Sequence, residues 1–219
     1  MNPPTIWLLL AGEDAPPAIA AQAGDSVIAV DGGIRHAQRL GLMPDVWLGD
    51  FDSARADLIA RYAHVPRLTY PADKTQTDFE LALAHINAHY PRGTLHIIGS
   101  HGNEADHSFA NLWVLPQSAL PCVLWQENAC IISARGEAGV RFAAPIGSKI
   151  SLFALTPVHH VYSHGLRWPL DNAQLTPHRA LAARNEMAAP QAHIRWQQGQ
   201  ALLFLPRLAD IKEIYQNND

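Results

Sequence analysis

The sequence predicts an α/β N-terminal domain with a mainly parallel sheet, residues 1–126, and a C-terminal all-β sandwich domain, residues 127–219. Up to about Gln126, short apolar runs alternate with segments of helical spacing, which is the pattern of βα units. After Glu127 the chain changes to short β-like stretches interrupted by Gly, Pro and Asn, as in small antiparallel domains. Apolar residues make up 48% of the 219 residues, which is enough for a substantial core.

The elements follow from these two patterns. The strands predicted in the first domain are Thr5–Leu10, Ser26–Val30, Val46–Leu48, Arg67–Tyr70, Leu95–Ile98 and Cys122–Gln126. The helices predicted between them are Pro17–Ala23, Ile34–Leu40, Arg55–His64, Thr77–His89 and Asp106–Leu115. The strands predicted in the second domain are Ile131–Ala134, Val140–Phe142, Ile150–Ala154, His160–Tyr162, His193–Gln197 and Ala201–Leu205. We expect Thr176–Gln191 to be a polar loop and the tail from Arg207 onward to form a short helix or to fray.

Composition argues against several classes of protein. Lys and Arg number 16 against 20 Asp and Glu, and no basic run is present, so we expect no nucleic-acid partner. The apolar run Ile6–Ala11 is too short to span a bilayer and no basic segment precedes it, so we expect no membrane association and a cytoplasmic protein. Cys122 and Cys130 lie in or beside apolar runs and are expected to be buried.

Unusual polar residues follow directly on predicted strands in the first domain. These segments are residues 31–33, 49–53, 73–78 and 99–107. The carboxyl ends of parallel strands meet at one edge of a sheet, which is where open α/β folds bind ligands. We therefore expect four loops to converge on one site.

The chemistry of these loops is acidic and rich in glycine. Clustered carboxylates need a cation to stay ionised, and the natural choice is a hard divalent ion such as Mg²⁺. Glycines let backbone N–H groups approach phosphate oxygens, and Lys74 offers a point charge. The combination indicates phosphoryl transfer, although the sequence contains no Walker A or Gly-x-Gly-x-x-Gly motif. A single Asp after a strand is more often a turn former, so the indication comes from the group.

Several motifs in this order resemble the thiamine pyrophosphokinase family. They are Asp31-Gly32-Gly33, Pro44-Asp45 leading into Gly49-Asp50-Phe51-Asp52-Ser53, Lys74 with Thr77-Asp78, Gly99-Ser100, Asp106-His107 and Asn111. The similarity continues in residues 147–153, in residues 165–170 and in Asn185-Glu186, so it covers nearly the whole chain.

The resemblance implies an enzyme that transfers pyrophosphate from Mg-ATP to the thiamine hydroxyl and releases AMP. It implies Mg²⁺ held by Asp50, Asp52 and Asp78, with Lys74 completing the catalytic set. The nucleotide-binding positions that it implies are Asp31, Gly32, Gly33, Ser53, Thr77, Gly99, Ser100, Asp106, His107 and Asn111. The implied thiamine-binding positions are Asn185, Glu186 and Phe204. It also implies a homodimer in which the partner's β domain completes the thiamine pocket.

Three positions depart from the family pattern. Glu104 stands where Arg is common, Thr75 where an Asp often follows Lys74, and Arg184 where Ser is usual. An acid near a triphosphate costs electrostatic energy unless another cation compensates. The arginines that we consider for this role are Arg35, Arg92 and Arg135.

These departures keep other functions open. One is a pyrophosphokinase for a different flat heterocyclic alcohol, and another is a catalytically weak thiamine- or nucleotide-binding module. A metal-dependent phosphohydrolase would also use clustered aspartates. The intact set of Asp50, Asp52 and Asp78 argues against a mere binding module, and the β domain and the remaining motifs argue against a phosphohydrolase. The matches at residues 165–170 and at Asn185-Glu186 favour thiamine over another alcohol.

Overall fold

A computed structural model of the chain describes residues 4–13, 22, 24–51, 55–70, 75–102 and 104–217. The chain divides into two compact units, Met1–Leu120 with Leu124–Glu127, and Pro121–Val123 with Asn128–Asp219. The sequence places the domain boundary after residue 126, in the stretch where the chain passes between these units. The roles given to the two predicted domains remain predictions.

The first unit is an α/β unit in which β5, β1, β2, β3 and β4 pair in that order, all in parallel. Its strands are β1 (Thr5–Leu9), β2 (Ser26–Val30), β3 (Val46–Gly49), β4 (Arg67–Thr69) and β5 (Thr94–Ile98), and the strand β6 (Cys122–Trp125) begins in the second unit and ends in the first. Its helices are α1 (Ile34–Leu40), α2 (Ala56–Arg61), α3 (Asp78–His89) and α4 (Ala105–Trp113), with short 3₁₀ turns at Asp31–Gly33 and Leu115–Gln117. The predicted strands are confirmed to within a residue at each end. The predicted helix Pro17–Ala23 lies almost wholly outside the described residues.

The central strands form as near-continuous apolar runs because both faces of the parallel sheet are covered. β1 and β2 are buried after their first residue. One face packs into a core cluster with α1 and α2, to which Trp7, Trp47 and Tyr62 contribute the largest side chains. α1 ends at Gly41, which has a left-handed backbone (φ 66°), as expected for a residue that terminates a helix.

In the second unit the described pairs within the orders β12-β9-β14-β7 and β11-β10-β13-β8-β15 are antiparallel. Its strands are β7 (Ala129–Arg135), β8 (Glu137–Ala143), β9 (Lys149–Ala154), β10 (Val158–His164), β11 (Ala173–Leu175), β12 (Ala182–Glu186), β13 (Gln191–Trp196), β14 (Gln200–Pro206) and β15 (Asp210–Asn217). Parallel pairing in the first unit and antiparallel pairing in the second agree with the predicted fold class at this level. The packing of the two β layers as a sandwich stays a prediction.

Two expectations for the second unit were wrong. Residues 176–191 are not one loop, because they contain β12, and the tail is the strand β15 rather than a helix. In β12 the pairing shifts register between Ala182 and Asn185, so the buried residues lie three apart and the usual alternation is lost. β15 pairs with β8 alone and carries exposed charged side chains, as edge strands do, which hides its pattern.

Two further sequence-based expectations concern apolar segments. Cys122 and Cys130 are fully buried, as predicted, and burial raises the pKa of the Cys130 thiol to about 12. Within the part of the chain that the structure describes, no helix combines the length and apolar character needed to cross a bilayer.

The first unit also encloses a histidine between two indole rings. The His96 ring centroid lies 4.7 Å from that of Trp7 and 5.9 Å from that of Trp125. The Nε1–H of Trp125 donates to His96 Nδ1 at 3.1 Å, so that nitrogen carries no proton. Burial lowers the pKa of His96 to about 4, and the neutral ring is the form that the fold accepts.

We therefore expect stability to fall in acid. Because the folded pKa of about 4 lies below the ordinary value of 6.5, the contribution is complete above pH 6.5 and is lost as the pH falls towards 4. His96→Gln should remove roughly 2 kcal/mol of this pH dependence, measured by urea unfolding between pH 7 and 4.5. His64→Gln, at an exposed position, should keep the wild-type slope. An unchanged slope in His96→Gln would contradict the assignment.

Candidate functional site

A cavity of about 540 Å³ lies at the carboxyl edge of the parallel sheet in the first unit. It is lined by residues 10–13, 30–31, 77–79, 99–102, 104, 107 and 111. These positions belong to the end of β2, to the segments that follow β1, β2 and β5, to the first turn of α3, and to α4 with the residue before it. The cavity is where an open parallel sheet is expected to hold its ligand.

Many of the predicted nucleotide and catalytic positions meet at this cavity. Those that line it are Asp31, Thr77, Asp78, Gly99, Ser100, His107 and Asn111. Gly32, Gly33, Asp50 and Asp106 are described but are not among the lining residues. Asp52, Ser53, Asp73 and Lys74 lie outside the described residues.

Asp31 joins the segments that follow β2 and β3. Its Oδ1 accepts the backbone N–H of Asp50 at 3.1 Å, and its carbonyl oxygen accepts the indole N–H of Trp47 at 3.0 Å. Asp31 adopts an unusual positive φ of 42°. Gly49 has a φ of 150°, and a Cβ there would lie 1.7 Å from Asp31 Oδ1. The close approach of the two segments therefore requires glycine at position 49.

The turn that carries Asp50 is supported on its other side by aromatic rings. Phe51 has a φ of 62°, which is unfavourable for a side chain of this size, so its surroundings must stabilise it. Its ring packs edge-on against Trp47 at 5.0 Å, and the Arg67 guanidinium lies 5.4 Å from the Trp47 ring centre and 5.5 Å from that of Phe51. A cation over two rings stabilises this arrangement.

A capping box sets the start of α3 at the cavity wall. Thr77 Oγ1 accepts the Glu80 N–H at 3.2 Å, and the Glu80 carboxylate accepts the Thr77 N–H at 2.9 Å. This hydrogen bond from the Thr77 backbone, together with one from Gln117, holds the pKa of Glu80 below its usual value. Asp78 is the first residue of the helix, so the capping box also fixes the backbone that carries the Asp78 carboxylate.

A loop that sequence reasoning missed completes the cavity. The N–H of Gly12 donates to Gly99 O at 2.8 Å, and the N–H of Glu13 donates to His101 O at 2.7 Å. A Cβ on Gly12 would lie 2.2 Å from His101 O, so only glycine allows this contact. The signal was available, because Ala11-Gly12-Glu13 follows the first predicted strand as the other segments follow theirs.

Side chains of α1 hold the loop that contains Gly12. Arg35 Nη2 donates to Ala11 O at 2.6 Å and to Gly12 O at 2.8 Å, and it pairs with Glu13 Oε1 at 2.9 Å. His36 Nε2 lies 2.9 Å from Gly12 O, and Arg39 Nη2 lies 2.9 Å from His36 Nδ1. Burial lowers the pKa of His36, so the ring is neutral, donates from Nε2 and accepts at Nδ1.

α4 supplies the remaining wall. Asn111 is buried, and its Nδ2 donates to Ser100 O at 2.7 Å, which fixes the segment after β5. Asp106 Oδ1 accepts the N–H of His107 at 2.9 Å. Glu104 lines the cavity directly before the helix, so the acid that departs from the family pattern lies at the site.

Carboxylate oxygens suit a hard divalent cation, and Asp31, Asp50 and Asp78 come from three segments at the same edge of the sheet. Among the described residues, no three His, Cys, Asp or Glu side chains form a group that could hold a metal ion. The predicted ligand set includes Asp52, which lies outside those residues. The donor chemistry of Asp50 and Asp78 is of the type that suits a divalent ion.

In the second unit, the predicted thiamine positions lie on strands. We expected Asn185 and Glu186 to be in a polar loop, which was wrong, because both belong to β12. Asn185 is only 6% exposed. Its Nδ2 donates to Trp168 O at 2.6 Å, and its Oδ1 accepts the Trp168 N–H at 3.2 Å. The amide thus holds the backbone of Trp168.

Glu186 and Phe204 have different surroundings. The Glu186 carboxylate accepts from Lys149 Nζ and from Arg167 Nη1, the latter at 3.4 Å. The hydrogen bond from Lys149 is the main reason that the pKa of Glu186 is lowered, so the carboxylate is ionised. Phe204 is half-buried on β14 and packs edge-on against Phe153 at 5.5 Å.

A parallel α/β unit that gathers carboxylates and glycine turns around one cavity, followed in the chain by an antiparallel β unit, has the features of an enzyme that binds a phosphorylated ligand. The family model for the thiamin pyrophosphokinase catalytic domain matches residues 20–124, and the model for the thiamin pyrophosphokinase vitamin B1 binding domain matches residues 138–200. The two matches together cover more than half of the chain. The chain belongs to the thiamine pyrophosphokinase family, and its activity is that of a thiamine diphosphokinase.

Solved structures support the same fold. Thiamine pyrophosphokinase from Bacillus subtilis superposes with a TM-score of 0.76 at 21% identity, over 92% of this chain and 98% of that one. A thiamin pyrophosphokinase family protein from Enterococcus faecalis superposes with a TM-score of 0.75 at 23% sequence identity, over 93% of this chain and 98% of that one. Yeast thiamin pyrophosphokinase superposes with a TM-score of 0.64 at 14% sequence identity, over 96% of this chain and 86% of that one. A comparison with curated proteins found no match.

The contact between Asp31 and Gly49 gives a direct test of the site geometry. Gly49→Ala would place a methyl group 1.7 Å from Asp31 Oδ1, so we expect it to displace the Asp50 turn and to lower kcat at least about tenfold. Gly41→Ala is the matched control, since Gly41 also has a positive φ but nothing within 4 Å of its Cβ position. It should cost about 1 kcal/mol of stability and leave kcat unchanged. Wild-type kcat in Gly49→Ala would show that this contact does not shape the site.

Proposed function

We propose that the cavity of the first unit is where the chain transfers pyrophosphate from Mg-ATP to the thiamine hydroxyl, giving thiamine diphosphate and AMP. The observation that supports this most is that Asp31, Asp78 and the turns around Gly12 and Gly99 line one cavity of about 540 Å³. This volume is in the range of small-molecule sites, which is roughly 300–1,000 Å³.

In this proposal Asp50, Asp52 and Asp78 hold Mg²⁺, which when bound neutralises phosphate charge and orients the phosphates for displacement at the β-phosphorus. The described geometry supports different roles for the individual aspartates. Asp31 is engaged with the backbone of Asp50, so it sets the position of the turn that carries Asp50. Asp78 begins a helix whose first turn borders the cavity. Lys74 is the catalytic cation predicted by the family motif.

The cavity also offers a place for the nucleoside. Its lining includes the apolar residues Leu10, Val30 and Phe79 and the polar residues Ser100 and His107. Such a mixture is typical of sites that bury a flat heterocycle and orient it with a few hydrogen bonds. Asn111 supports this wall indirectly, because its amide is bonded to the carbonyl of Ser100.

For thiamine we propose the second unit, with Asn185, Glu186 and Phe204 as the positions that the family motif indicates. The contacts of Asn185 support a positioning role, since its amide bonds the N–H and C=O of Trp168. The ionised Glu186 offers negative charge to a cationic ring, although Lys149 and Arg167 already compensate part of it. We further propose a cytoplasmic homodimer, which sedimentation analysis of the purified protein would test.

The decisive experiment measures both products. Purified protein incubated with ATP, Mg²⁺ and thiamine should form AMP and thiamine diphosphate in equal amounts. AMP without thiamine diphosphate would indicate hydrolysis, and product formation only with another heterocyclic alcohol would change the substrate. Neither product, with thiamine still bound, would indicate a binding module.

A charge-removing pair of variants tests the role of the cavity aspartates. Asp78→Asn should lower kcat on the order of 100-fold or more, because it removes a proposed ligand of the divalent ion. Asp57→Asn is the control, since Asp57 is exposed on α2 and pairs with Arg55 at 2.9 Å. Both variants should melt within a few degrees of the wild type. Equal activity of the two variants would remove Asp78 from the site.

A further inference from the structure

The charge of the cavity lining is hard to reconcile with a bound polyphosphate. Its charged side chains, among the described residues, are the acids Glu13, Asp31, Asp78 and Glu104, and no Lys or Arg is among its lining residues. A divalent ion can compensate the aspartates that hold it. Glu13 and Glu104 stand on other segments and would repel phosphate oxygens unless a fixed cation is near.

We propose that Arg35 is the fixed cation for the polyphosphate and that Glu13 occupies it until the nucleotide binds. When the nucleotide enters, phosphate oxygens take the place of the Glu13 carboxylate on the guanidinium. This inference rests on the proposed function, because it assigns a residue to the polyphosphate end of the same ATP site.

Arg35 makes two kinds of contact, one with backbone carbonyls that is permanent and one with a carboxylate that can be exchanged. Its bonds to Ala11 O and Gly12 O, at 2.6 and 2.8 Å, join it to backbone that forms the cavity wall. Its third partner is the Glu13 carboxylate at 2.9 Å, and the two side chains are 41% and 72% exposed. An exposed ion pair of this kind contributes little to stability, so a phosphate can replace the carboxylate at little cost.

The guanidinium has donors for both tasks. The three contacts share the two N–H groups of Nη2, while Nε and Nη1 carry the other three N–H donors of the rigid planar fork. The two carbonyls orient this fork at the wall of the cavity. Arginine fits phosphate oxygens through paired N–H groups, which a lysine cannot do with the same geometry.

Neighbouring groups leave this role to Arg35. His36 is neutral and donates to Gly12 O, so it helps to hold the loop but adds no charge. Arg39 contacts the other nitrogen of the same ring. Because His36 also bonds Gly12, the loop keeps a support from α1 when Glu13 leaves the guanidinium.

The other arginines considered from the sequence lie elsewhere. Arg92 precedes β5, whereas the cavity residues follow the end of that strand at Ile98. Arg135 belongs to the second unit, where its backbone N–H donates to Gln216 Oε1 at 2.8 Å. Of the three, Arg35 is the one whose described hydrogen bonds reach the cavity wall, and we assign to it the charge that compensates Glu104.

Calorimetric titration with Mg²⁺ and two nucleotides tests the proposal. α,β-Methylene-ATP keeps the polyphosphate but resists cleavage at the reacting bond, and AMP lacks the β- and γ-phosphates. Arg35→Gln should weaken binding of the methylene analogue about tenfold or more, as expected for loss of a charge-assisted contact, and should change AMP binding less than about twofold. Glu13→Gln should tighten binding of the analogue severalfold. Arg92→Gln, the control, should behave as the wild type.

The sign of the Glu13→Gln effect separates this proposal from a purely structural role. If Arg35 only fastens the loop, both variants loosen it, both weaken the analogue, and AMP binding falls as well, which would overturn the proposal. Restoring a cation with Glu104→Arg in the Arg35→Gln background should recover most of the lost affinity, and no recovery would count against it. Binding of the analogue to Arg35→Gln with wild-type affinity would overturn the inference alone, whereas no binding to the wild type would overturn the proposed function with it.

Discussion

The architecture of the site depends on a contact between the loop that follows β2 and the loop that follows β3. The two loops meet at the Asp31 carboxylate. Asp31 accepts a backbone N–H from Asp50 and sits where any side chain at Gly49 would collide with it. Its carbonyl is fixed in turn by the indole of Trp47, a core residue. The turn that carries the predicted metal ligands is thus anchored to the interior of the sheet. Preorganisation of this kind places charged groups before the substrate arrives.

A second constraint follows from gathering so many acids at one edge. Carboxylates that lie close together raise the free energy of the site unless cations compensate them. The molecule meets this need with different means on different loops. The aspartates have the chemistry for a divalent ion, Glu80 is held ionised by the backbone N–H of Thr77 and by Gln117, and Glu13 pairs with Arg35. A ligand that brings more negative charge must rearrange one of these pairs, and the exposed pair is the least costly.

The sequence was sufficient for the parallel sheet and for most of the cavity, because both follow from simple patterns. Apolar runs marked the central strands, and polar residues after them marked the loops. The loop at Gly12 was missed since it carries no aspartate turn like those at Asp31 and Asp50. The strands β12 and β15 were missed for a different reason. A register shift and an exposed edge remove the alternation on which strand prediction relies, and tertiary pairing decides their structure.

A residue that matches the family motif can either contact a ligand or hold the backbone of the site, and the structure distinguishes these two roles. Asn185 fits the family pattern, yet its amide is buried and bonded to the backbone of Trp168 and to the N–H of Glu186. Asn111 likewise matches, and its amide is bonded to the carbonyl of Ser100. A buried amide whose hydrogen bonds are made within the protein is costly to redirect to a ligand, because those partners would lose their bonds. In the proposed site, such residues would position the ligand through the backbone that they hold, whereas the Glu13–Arg35 ion pair is exposed.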